Sequence, residues 1–264
     1  MSALLEIRDL TVRYGGVTAV DSASLEVAEG TVVGLIGPNG AGKTSLIDAL
    51  TGFTPCTGSL TFDGAPIGAL GPHERARAGL TRTFQSLELF EDLTLRENLL
   101  VAAEPQPWWG VLRDLVRPPK RGGNDRVTWA LEAVGLAHAA DEPPTGLSHG
   151  QRKLAAVARA LAARPRLVLL DEPAAGLDSR ESLELGSELR RLLDHDVTVL
   201  LVDHDMGLVL SVCDLIYVLE FGRVIAVGTP AEIRRDERVI AAYLGGSSGA
   251  EAEADPALVE GLPT

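Results

Sequence analysis

Hydrophobic and polar residues alternate along the first part of the chain. Residues 4–33 are rich in Val, Thr, Ile and Leu, and the alternation is broken at 15–16 and at 29–30, where glycine occurs. A period of two residues is typical of half-buried strands, so this pattern predicts short antiparallel strands. They lead into the wholly apolar run 32–36, which predicts a buried strand.

A helical spacing follows the glycine-rich segment 37–42. Apolar residues between 46 and 50 recur at intervals that place them on one face of a helix. We expect this helix to begin at Lys43 and to end near Gly52. A strand, a glycine-rich turn and a helix therefore follow one another in the chain.

The middle of the chain predicts helices. Residues 97–103 and 127–135 have helical patterns, and a loop-rich insertion with several prolines and glycines separates them. A third helix is expected to begin at Ser148, which suits an N-cap, and to stop before Pro165. Together these segments predict a helical subdomain.

The last third of the chain alternates between strand and helix patterns. The apolar runs 167–170 and 197–202 have the length of strands, and the helical stretch 180–193 lies between them. This order is typical of a parallel sheet with crossover helices. From Gly245 onward the sequence turns to Gly, Ser, Ala and acidic residues, which predicts a flexible tail.

The composition narrows the class of protein. The chain has 264 residues, of which 45% are hydrophobic, and a formal net charge of −13. This apolar content suits a packed core and excludes wholesale disorder, a collagen-like repeat and a small disulfide scaffold. The acidic balance offers no electrostatic basis for binding nucleic acid, and no local basic face compensates for it.

Signals for secretion and membrane insertion are missing from the sequence. Cys56 and Cys213 lie far apart and form no C-x-x-C pair, so we expect reduced thiols. The first residues include Glu6 and Asp9 and show no basic region before an apolar core, so no secretory signal peptide is expected. The apolar runs stay well below the ~20 residues of a membrane-spanning helix.

The strongest chemical signal is a complete G-x-x-x-x-G-K-[ST] motif. It consists of Gly37, Pro38, Asn39, Gly40, Ala41, Gly42, Lys43 and Thr44. In such a P-loop, backbone N–H groups and the helix N-terminus bind phosphate oxygens, the lysine reaches the β and γ phosphates, and the Thr hydroxyl binds Mg²⁺. A simple glycine-rich turn is the alternative, but the predicted strand before and helix after the motif favour the phosphate site.

A carboxylate that suits the same metal ion follows the apolar run 167–170. Asp171 and Glu172 follow it, and ligands bind outside the carboxyl ends of strands in open parallel sheets. We expect Asp171 to hold Mg²⁺ through water and Glu172 to polarise the water that attacks the γ-phosphorus. Two acids at a solvated turn are the alternative, which the P-loop makes a minor one.

Further motifs, in order along the chain, resemble the ATP-binding-cassette (ABC) ATPases. Residues 147–151 are similar to the LSGGQ signature, with His149 at a position where glycine is usual, and 171–178 are similar to the Walker B motif and D-loop. Gln85 matches the Q-loop, His204 the switch histidine and Tyr14 the aromatic residue that stacks on adenine. The resemblance implies an α/β fold: a RecA-like P-loop NTPase core with an antiparallel β subdomain and an α-helical subdomain.

The resemblance also implies roles for these residues. Gln85 would bridge Mg²⁺ or the attacking water to the helical subdomain, and His204 would hydrogen-bond the γ-phosphate. Ser148 and Gly150 would bind the γ-phosphate of ATP held by a second subunit, so the active unit would be a dimer enclosing two ATP molecules. The other nucleotide-binding residues implied by the family are Ser45, Gln151 and Asp178.

One branch of the family is especially similar. Segments 81–101, 171–177, 204–206 and 228–245 resemble the longer ATPase subunit of branched-chain amino-acid importers. This implies an ATPase domain over 1–245, a helical subdomain at about 86–164 and a tail at 246–264. It also implies two membrane permeases, a second ATPase subunit, a substrate-binding protein and a peripheral place on the cytoplasmic side of the inner membrane.

The sequence leaves several alternatives open. ATPases of urea, amide and short-peptide importers and of the lipopolysaccharide exporter are similar, so the cargo is open. A soluble ABC ATPase would be expected to carry long coiled-coil insertions or two cassettes, and a GTPase would need an N-K-x-D motif, none of which the sequence has. Trp108-Trp109, with nearby Arg and Lys residues, would contact the permease or membrane, or would be ordinary packing.

Overall fold

The computed structural model describes residues 3–83, 89–103 and 122–245. Its strands are β1 (Ala3–Tyr14), β2 (Val17–Ala28), β3 (Val32–Ile36), β4 (Thr57–Phe62), β5 (Ala65–Pro66), β6 (Leu80–Arg82), β7 (Leu167–Asp171), β8 (Thr198–Val202), β9 (Leu215–Glu220) and β10 (Arg223–Gly228). Its α-helices are α1 (Lys43–Thr51), α2 (Pro72–Arg77), α3 (Leu95–Ala103), α4 (Gly122–Ala133), α5 (His149–Leu161), α6 (Ser179–Arg191), α7 (Met206–Val212), α8 (Pro230–Ile233) and α9 (Glu237–Gly245).

The described strands form two sheets. One is antiparallel with the order β2-β1-β4-β5, and the other has the order β10-β9-β3-β8-β7-β6 and is parallel except for the β9–β10 hairpin. In the parallel sheet, Val202 of β8 is paired with Leu35 on one side and with Asp171 on the other. The carboxyl ends of β3, β8 and β7 therefore lie side by side at one edge, where ligands bind in sheets of this kind.

The predicted strand and helix pattern is largely confirmed, and the N-terminal hairpin needs a correction. The sequence predicts several short antiparallel strands there, whereas β1 and β2 each run for 12 residues. Register shifts between them, for example between Ile7 and Leu10, absorb the breaks in the alternation without ending the strands.

Two hydrophobic clusters cover the two faces of the parallel sheet. Every residue of β3, β7 and β8 is buried, as expected for strands covered on both faces. Along β7, Leu167 and Leu169 pack into the cluster beneath the antiparallel sheet, whereas Val168 and Leu170 pack into the cluster beneath the helices. The continuous apolar runs in the sequence thus mark strands buried between two layers.

The helical subdomain is built from α3, α4 and α5, which contact one another. Two of these helices begin earlier than predicted, at Leu95 and Gly122. Asn98 of α3 is fully buried, and its side-chain amide donates to the carbonyl oxygens of Phe90, Leu93 and Thr94. The Asn98 side chain therefore ties the segment before α3 to the helix.

Contacts with one aromatic ring join the helical subdomain to the segments that precede β7 and β8. The guanidinium of Arg164 lies 3.9 Å from the ring centroid of Trp129 in α4, and His195 meets the same ring edge-on at 5.9 Å. The predicted insertion with Trp108-Trp109 and the predicted tail at 246–264 lie outside the described residues. The domain boundaries at 86–164 and 245 stay predictions.

The cysteines agree with the sequence-based expectation. Cys56 and Cys213 are both free thiols, and burial raises the pKa of Cys213 to about 12. A Cβ atom on Gly34 of β3 would lie 2.9 Å from Cys213 Sγ, so the glycine makes room for this thiol. No helix in the described ranges is long and apolar enough to cross a bilayer.

Candidate functional site

The glycine-rich turn 37–42 connects β3 to α1, as predicted. A Cβ atom on Gly37 would lie 2.1 Å from the carbonyl oxygen of Leu219, and one on Gly42 would lie 2.3 Å from that of Ala19. Gly42 also has a φ of +104°, which side chains rarely adopt. Only glycine fits these two positions, where neighbouring backbone segments press against the turn.

Lys43 begins α1 and is buried beneath this turn. Its ammonium group donates hydrogen bonds to the carbonyl oxygens of Gly37 at 2.6 Å and Pro38 at 3.1 Å. Burial lowers the pKa of Lys43, and the negative charges of Glu172, Asp171 and Asp203 oppose that shift. The turn thus holds a partly desolvated cation that three carboxylates stabilise electrostatically.

Asp171 ends β7 and lies in an ion-pair cluster that the sequence analysis missed. Arg82, the last residue of β6, donates to Asp171 Oδ2 at 2.7 Å and to Asp48 Oδ1 of α1 at 2.5 Å. The Arg82 and Asp171 side chains are only 10% and 8% exposed, whereas Asp48 is 29% exposed. The only sequence signal for Arg82 is that it belongs to segment 81–101, which resembles the ATPases of branched-chain amino-acid importers.

Substitution of Arg82 is expected to destabilise the fold. Arg82→Met leaves the Asp171 carboxylate buried without its guanidinium partner, which costs about 3 kcal/mol of the free energy of unfolding. Urea denaturation followed by fluorescence measures this loss. The control is Asp48→Asn, which removes the more exposed end of the cluster and is expected to cost less than about 1 kcal/mol. Equal losses in the two variants would contradict the buried pair as the dominant contact.

Glu172 and His204 lie near each other at the sheet edge. Glu172 follows β7, and its backbone N–H donates to the carbonyl of Val202 at 2.7 Å. Its φ of 46° is a left-handed conformation that non-glycine residues seldom adopt. His204 Nδ1 lies 3.8 Å from Glu172 Oε1, and the imidazole is about half exposed. The left-handed backbone conformation of Glu172 thus accompanies a position of its carboxylate near the accessible imidazole of His204.

The signature residues open α5 in the helical subdomain. The hydroxyl of Ser148 accepts the N–H of Gln151 at 3.3 Å, and Gln151 Oε1 accepts the N–H of Ser148 at 3.0 Å. This reciprocal pair is a capping box, which fixes the helix N-terminus. A Cβ atom on Gly150 would contact nothing within 4 Å, so its backbone is open to approach.

The signature residues and the P-loop stand on separate elements. Within the described part of the chain, no hydrogen bond joins 147–151 to 37–45. Asp178 caps α6, where its Oδ1 accepts the N–H of Glu181 at 2.8 Å. Within one copy of the described chain, the two motifs are therefore not linked by a direct hydrogen bond.

Of two further predicted site residues, the structure describes Tyr14 and leaves Gln85 undescribed. Tyr14 ends β1 with a half-exposed ring, and its hydroxyl lies 3.3 Å from Thr54 Oγ1. Gln85 lies outside the described residues, so its predicted role is not addressed by the structure. Asp203, which the sequence analysis passed over, is fully buried beside His204.

The residues at the sheet edge fit a magnesium ion carried by a nucleotide. No group of three His, Cys, Asp or Glu side chains in the described ranges is arranged to hold a metal. Magnesium bound with nucleotides does not need such a group, because one or two protein oxygens, phosphates and water complete its shell. The exposed Thr44 hydroxyl and the Asp171 carboxylate are hard oxygen donors of that kind.

Comparisons with known sequences agree with this geometry. The family described as ABC transporter matches residues 20–175, and the family described as branched-chain amino acid ATP-binding cassette transporter matches residues 223–248. The high-affinity branched-chain amino acid transport ATP-binding protein BraF of Pseudomonas aeruginosa is 43% identical over 249 residues, which cover 92% of this chain and 98% of BraF. The high-affinity branched-chain amino acid transport ATP-binding protein LivG of Escherichia coli K12 is 40% identical over the same shares of the two chains. The lipopolysaccharide export system ATP-binding protein LptB of that strain is 36% identical over 244 residues.

Solved structures show the same fold. The ADP conformation of an ATP-binding cassette of an ABC transporter is similar with a TM-score of 0.82 and 30% identity, over 93% of this chain and all of that one. A nucleotide-free cassette is similar with a TM-score of 0.80 and 29% identity, over 92% of this chain. The predicted fold, a P-loop NTPase core with antiparallel β and helical subdomains, is confirmed.

Proposed function

The chain belongs to the ATP-binding cassettes of ABC transporters, and from that premise we propose that it powers an importer of branched-chain amino acids. As a member of this family it is an ATPase whose activity is coupled to transport. The observation that carries the substrate class is the likeness to BraF over nearly the whole of both chains. The branched-chain cassette family at 223–248 supports it independently of the ATP site.

We propose that ATP lies across the P-loop turn. The N–H groups of 37–42 and the start of α1 would bind the phosphates, with Lys43 at the β and γ phosphates and Thr44 and Ser45 at the first turn. The ring of Tyr14 would stack on adenine. Magnesium would be held by Thr44, Gln85 and Asp171, and when bound it neutralises phosphate charge.

Hydrolysis is assigned to the residues after β7 and β8. Glu172 would accept a hydrogen bond from the attacking water and take its proton, because it lies at the strand end beside the phosphate site. His204 would donate a hydrogen bond to the γ-phosphate, where charge develops as the bond breaks. The 3.8 Å distance between these side chains supports their joint action.

The active unit would be a dimer. Ser148, Gly150 and Gln151 open a helix whose N-terminus suits a phosphate, yet no hydrogen bond joins them to the P-loop within the described part of the chain. A second ATPase subunit, identical or paired, would supply these groups across the interface. Asp178 would lie at the same interface.

A cleft beside the helical subdomain suits a permease. It has a volume of about 570 Å³ and is lined by Leu89, Phe90, Val101, Ala102 and Arg159. Phe90 and Val101 are 51% and 58% exposed, which is unusual for large apolar side chains in one patch. We propose that a cytoplasmic helix of the permease docks here, so that the chain would sit peripherally on the cytoplasmic face of the inner membrane.

The similarity to LptB supports a second candidate, the ATPase of a lipopolysaccharide exporter. Reconstitution with candidate permeases separates the two functions. With branched-chain permeases and their binding protein in lipid vesicles, leucine is expected to stimulate ATP hydrolysis. No stimulation by leucine, with stimulation by lipopolysaccharide and export permeases, would favour the second candidate.

The same preparation tests the docking cleft. Val101→Asp places a charge in the cleft and is expected to abolish co-purification with the permeases while the isolated chain still binds ATP. Val227→Asp is the control, because Val227 is comparably exposed but lies on β10. Equal co-purification of the two variants would contradict the cleft as the docking surface.

A further inference from the structure

Asp203 is a buried carboxylate to which the proposed mechanism gives no role. It is the first residue after β8, and its side chain has no exposed surface. It lies between two segments that carry the proposed catalytic groups: the segment after β7, which begins with Glu172, and the segment that contains His204. A charged group in such a position needs compensating contacts to be tolerated.

Three backbone N–H groups supply these contacts. Asp203 Oδ2 accepts the N–H of Ala174 at 3.1 Å, and Oδ1 accepts those of His204 at 2.8 Å and Asp205 at 3.0 Å. Both oxygens thus face donors. An asparagine of the same shape has one oxygen and one NH₂ group, so it would set a donor against at least one of these N–H groups. The site requires a carboxylate and not merely a side chain of this size.

The contacts bear directly on the position of the switch histidine. His204 Nδ1 lies 3.6 Å from Asp203 Oδ1 and 3.8 Å from Glu172 Oε1. Both carboxylates therefore lie on the Nδ1 side of the imidazole, which leaves Nε2 for another partner. Asp203 also accepts the N–H of Ala174, which lies two residues after Glu172. Asp203 therefore links the backbone near Glu172 to the backbone of His204.

Opposing effects act on the charge of the Asp203 carboxylate. Burial raises the pKa of Asp203, and the N–H groups of Asp205, Ala174 and His204 oppose that shift. Lys153 of α5 is buried nearby, and the charges of Asp203 and Glu172 oppose the lowering of its pKa by burial. The carboxylate thus has hydrogen-bond donors at close range and a cation at longer range.

We propose that Asp203 is a positioning residue for ATP hydrolysis, which locks the backbone of His204 to the segment after Glu172 and so fixes the spacing of the two side chains. This inference rests on the proposed function of Glu172 and His204. A misplacement of about 1 Å between reacting groups can lower a rate by about 100-fold, so a lock of this kind acts on turnover. Asp203 makes no hydrogen bond to the P-loop among the residues that the structure describes, so ATP binding should persist.

Asp203→Asn and Asp205→Asn form a matched pair for the test. Each removes one carboxylate charge, and the two positions flank His204. Asp205 accepts the N–H of Leu208 through Oδ1 and the hydroxyl hydrogen of Ser182 through Oδ2. An asparagine at 205 can keep both contacts, because its oxygen accepts the N–H and its NH₂ group donates to the Ser182 oxygen. Only the variant at 203 is forced to lose a backbone contact.

Steady-state hydrolysis by the purified full chain is measured over a range of ATP concentrations, with thermal melting to confirm folding. Asp203→Asn is expected to lower kcat at least about tenfold and to keep the KM for ATP within about threefold of its value in the natural chain. The threefold range allows for the loss of a negative charge that acts on Lys43. Asp205→Asn is expected to change neither by more than about twofold. Equal kcat values for the two variants, or a KM that rises as much as kcat falls, would overturn the proposal.

Asp203→Glu tests the proposal if the asparagine variant does not fold. This variant keeps the charge and both acceptor oxygens but displaces them by one methylene. A reduced kcat with an unchanged KM is therefore expected. A kcat within twofold of that of the natural chain would overturn the proposal. Glu172→Gln, assayed in parallel, separates this inference from the function itself. If that variant retains hydrolysis, the catalytic assignment fails; if it is inactive and Asp203→Asn is not impaired, only the positioning role fails.

Discussion

Glu172→Gln is expected to lower the kcat of ATP hydrolysis by about 100-fold or more, since a positioned general base contributes about 10²–10⁴-fold. The amide has nearly the shape of the carboxylate but cannot accept the proton of the attacking water. Glu172 is held by its backbone hydrogen bond to Val202 and by a left-handed φ, neither of which depends on the side-chain charge. The variant should therefore fold and bind ATP.

Its second expected property is an ATP-dependent dimer. If the signature residues of one subunit complete the ATP site of another, blocked hydrolysis should trap the closed pair. Size-exclusion chromatography with and without ATP and Mg²⁺ measures this, together with phosphate release. The control is Glu29→Gln, because Glu29 lies in the turn at the opposite end of β3 and pairs with Arg166 on the surface. Unchanged turnover in Glu172→Gln would refute the assignment of the base.

Lys43→Ala is expected to weaken ATP binding by about 100-fold, which corresponds to roughly 2.7 kcal/mol. Charge-assisted hydrogen bonds contribute about 1.5–3 kcal/mol, and Lys43 is already desolvated beneath the turn, where water screens it little. The ammonium now held by the carbonyl oxygens of Gly37 and Pro38 would turn to the phosphates of bound ATP. Its loss removes an attraction that the backbone N–H groups do not replace.

Calorimetric titration with ATP and Mg²⁺ measures this effect. Arg180→Ala removes the same formal charge from a side chain that is 87% exposed and paired with Glu184 on the surface. It is expected to leave the dissociation constant within about twofold, because exposed pairs contribute little. An affinity of Lys43→Ala equal to that of the control would mean that the glycine-rich turn is not the phosphate site.

Local patterns in the sequence account for much of the fold. The P-loop, the helix that starts at Lys43 and the N-cap at Ser148 depend on residues within a few positions of one another. The buried strands β3, β7 and β8 were predicted because residues covered on both faces form continuous apolar runs. The early start of α4 was missed because Gly122 opens it, and glycine has a low helix propensity.

The contacts that organise the site depend on strand order instead. Arg82 meets Asp48 and Asp171 across 34 and 89 positions of the sequence. Asp203 joins His204 to Ala174, which is 29 residues away. No periodicity or motif encodes these partners, because they become neighbours only when β6 pairs with β7 and β8 pairs with both β3 and β7.

The sequence by itself thus determined the chemistry of this protein: a phosphate-binding turn, two carboxylates, a histidine and a helix N-terminus, each defined by short-range residue patterns. Only the tertiary structure decided how these groups are held. The parallel sheet sets the ends of β3, β8 and β7 at one edge, and side chains far apart in the chain then fix their geometry through buried ion pairs and hydrogen bonds. Burial strengthens those contacts, since water no longer competes for them.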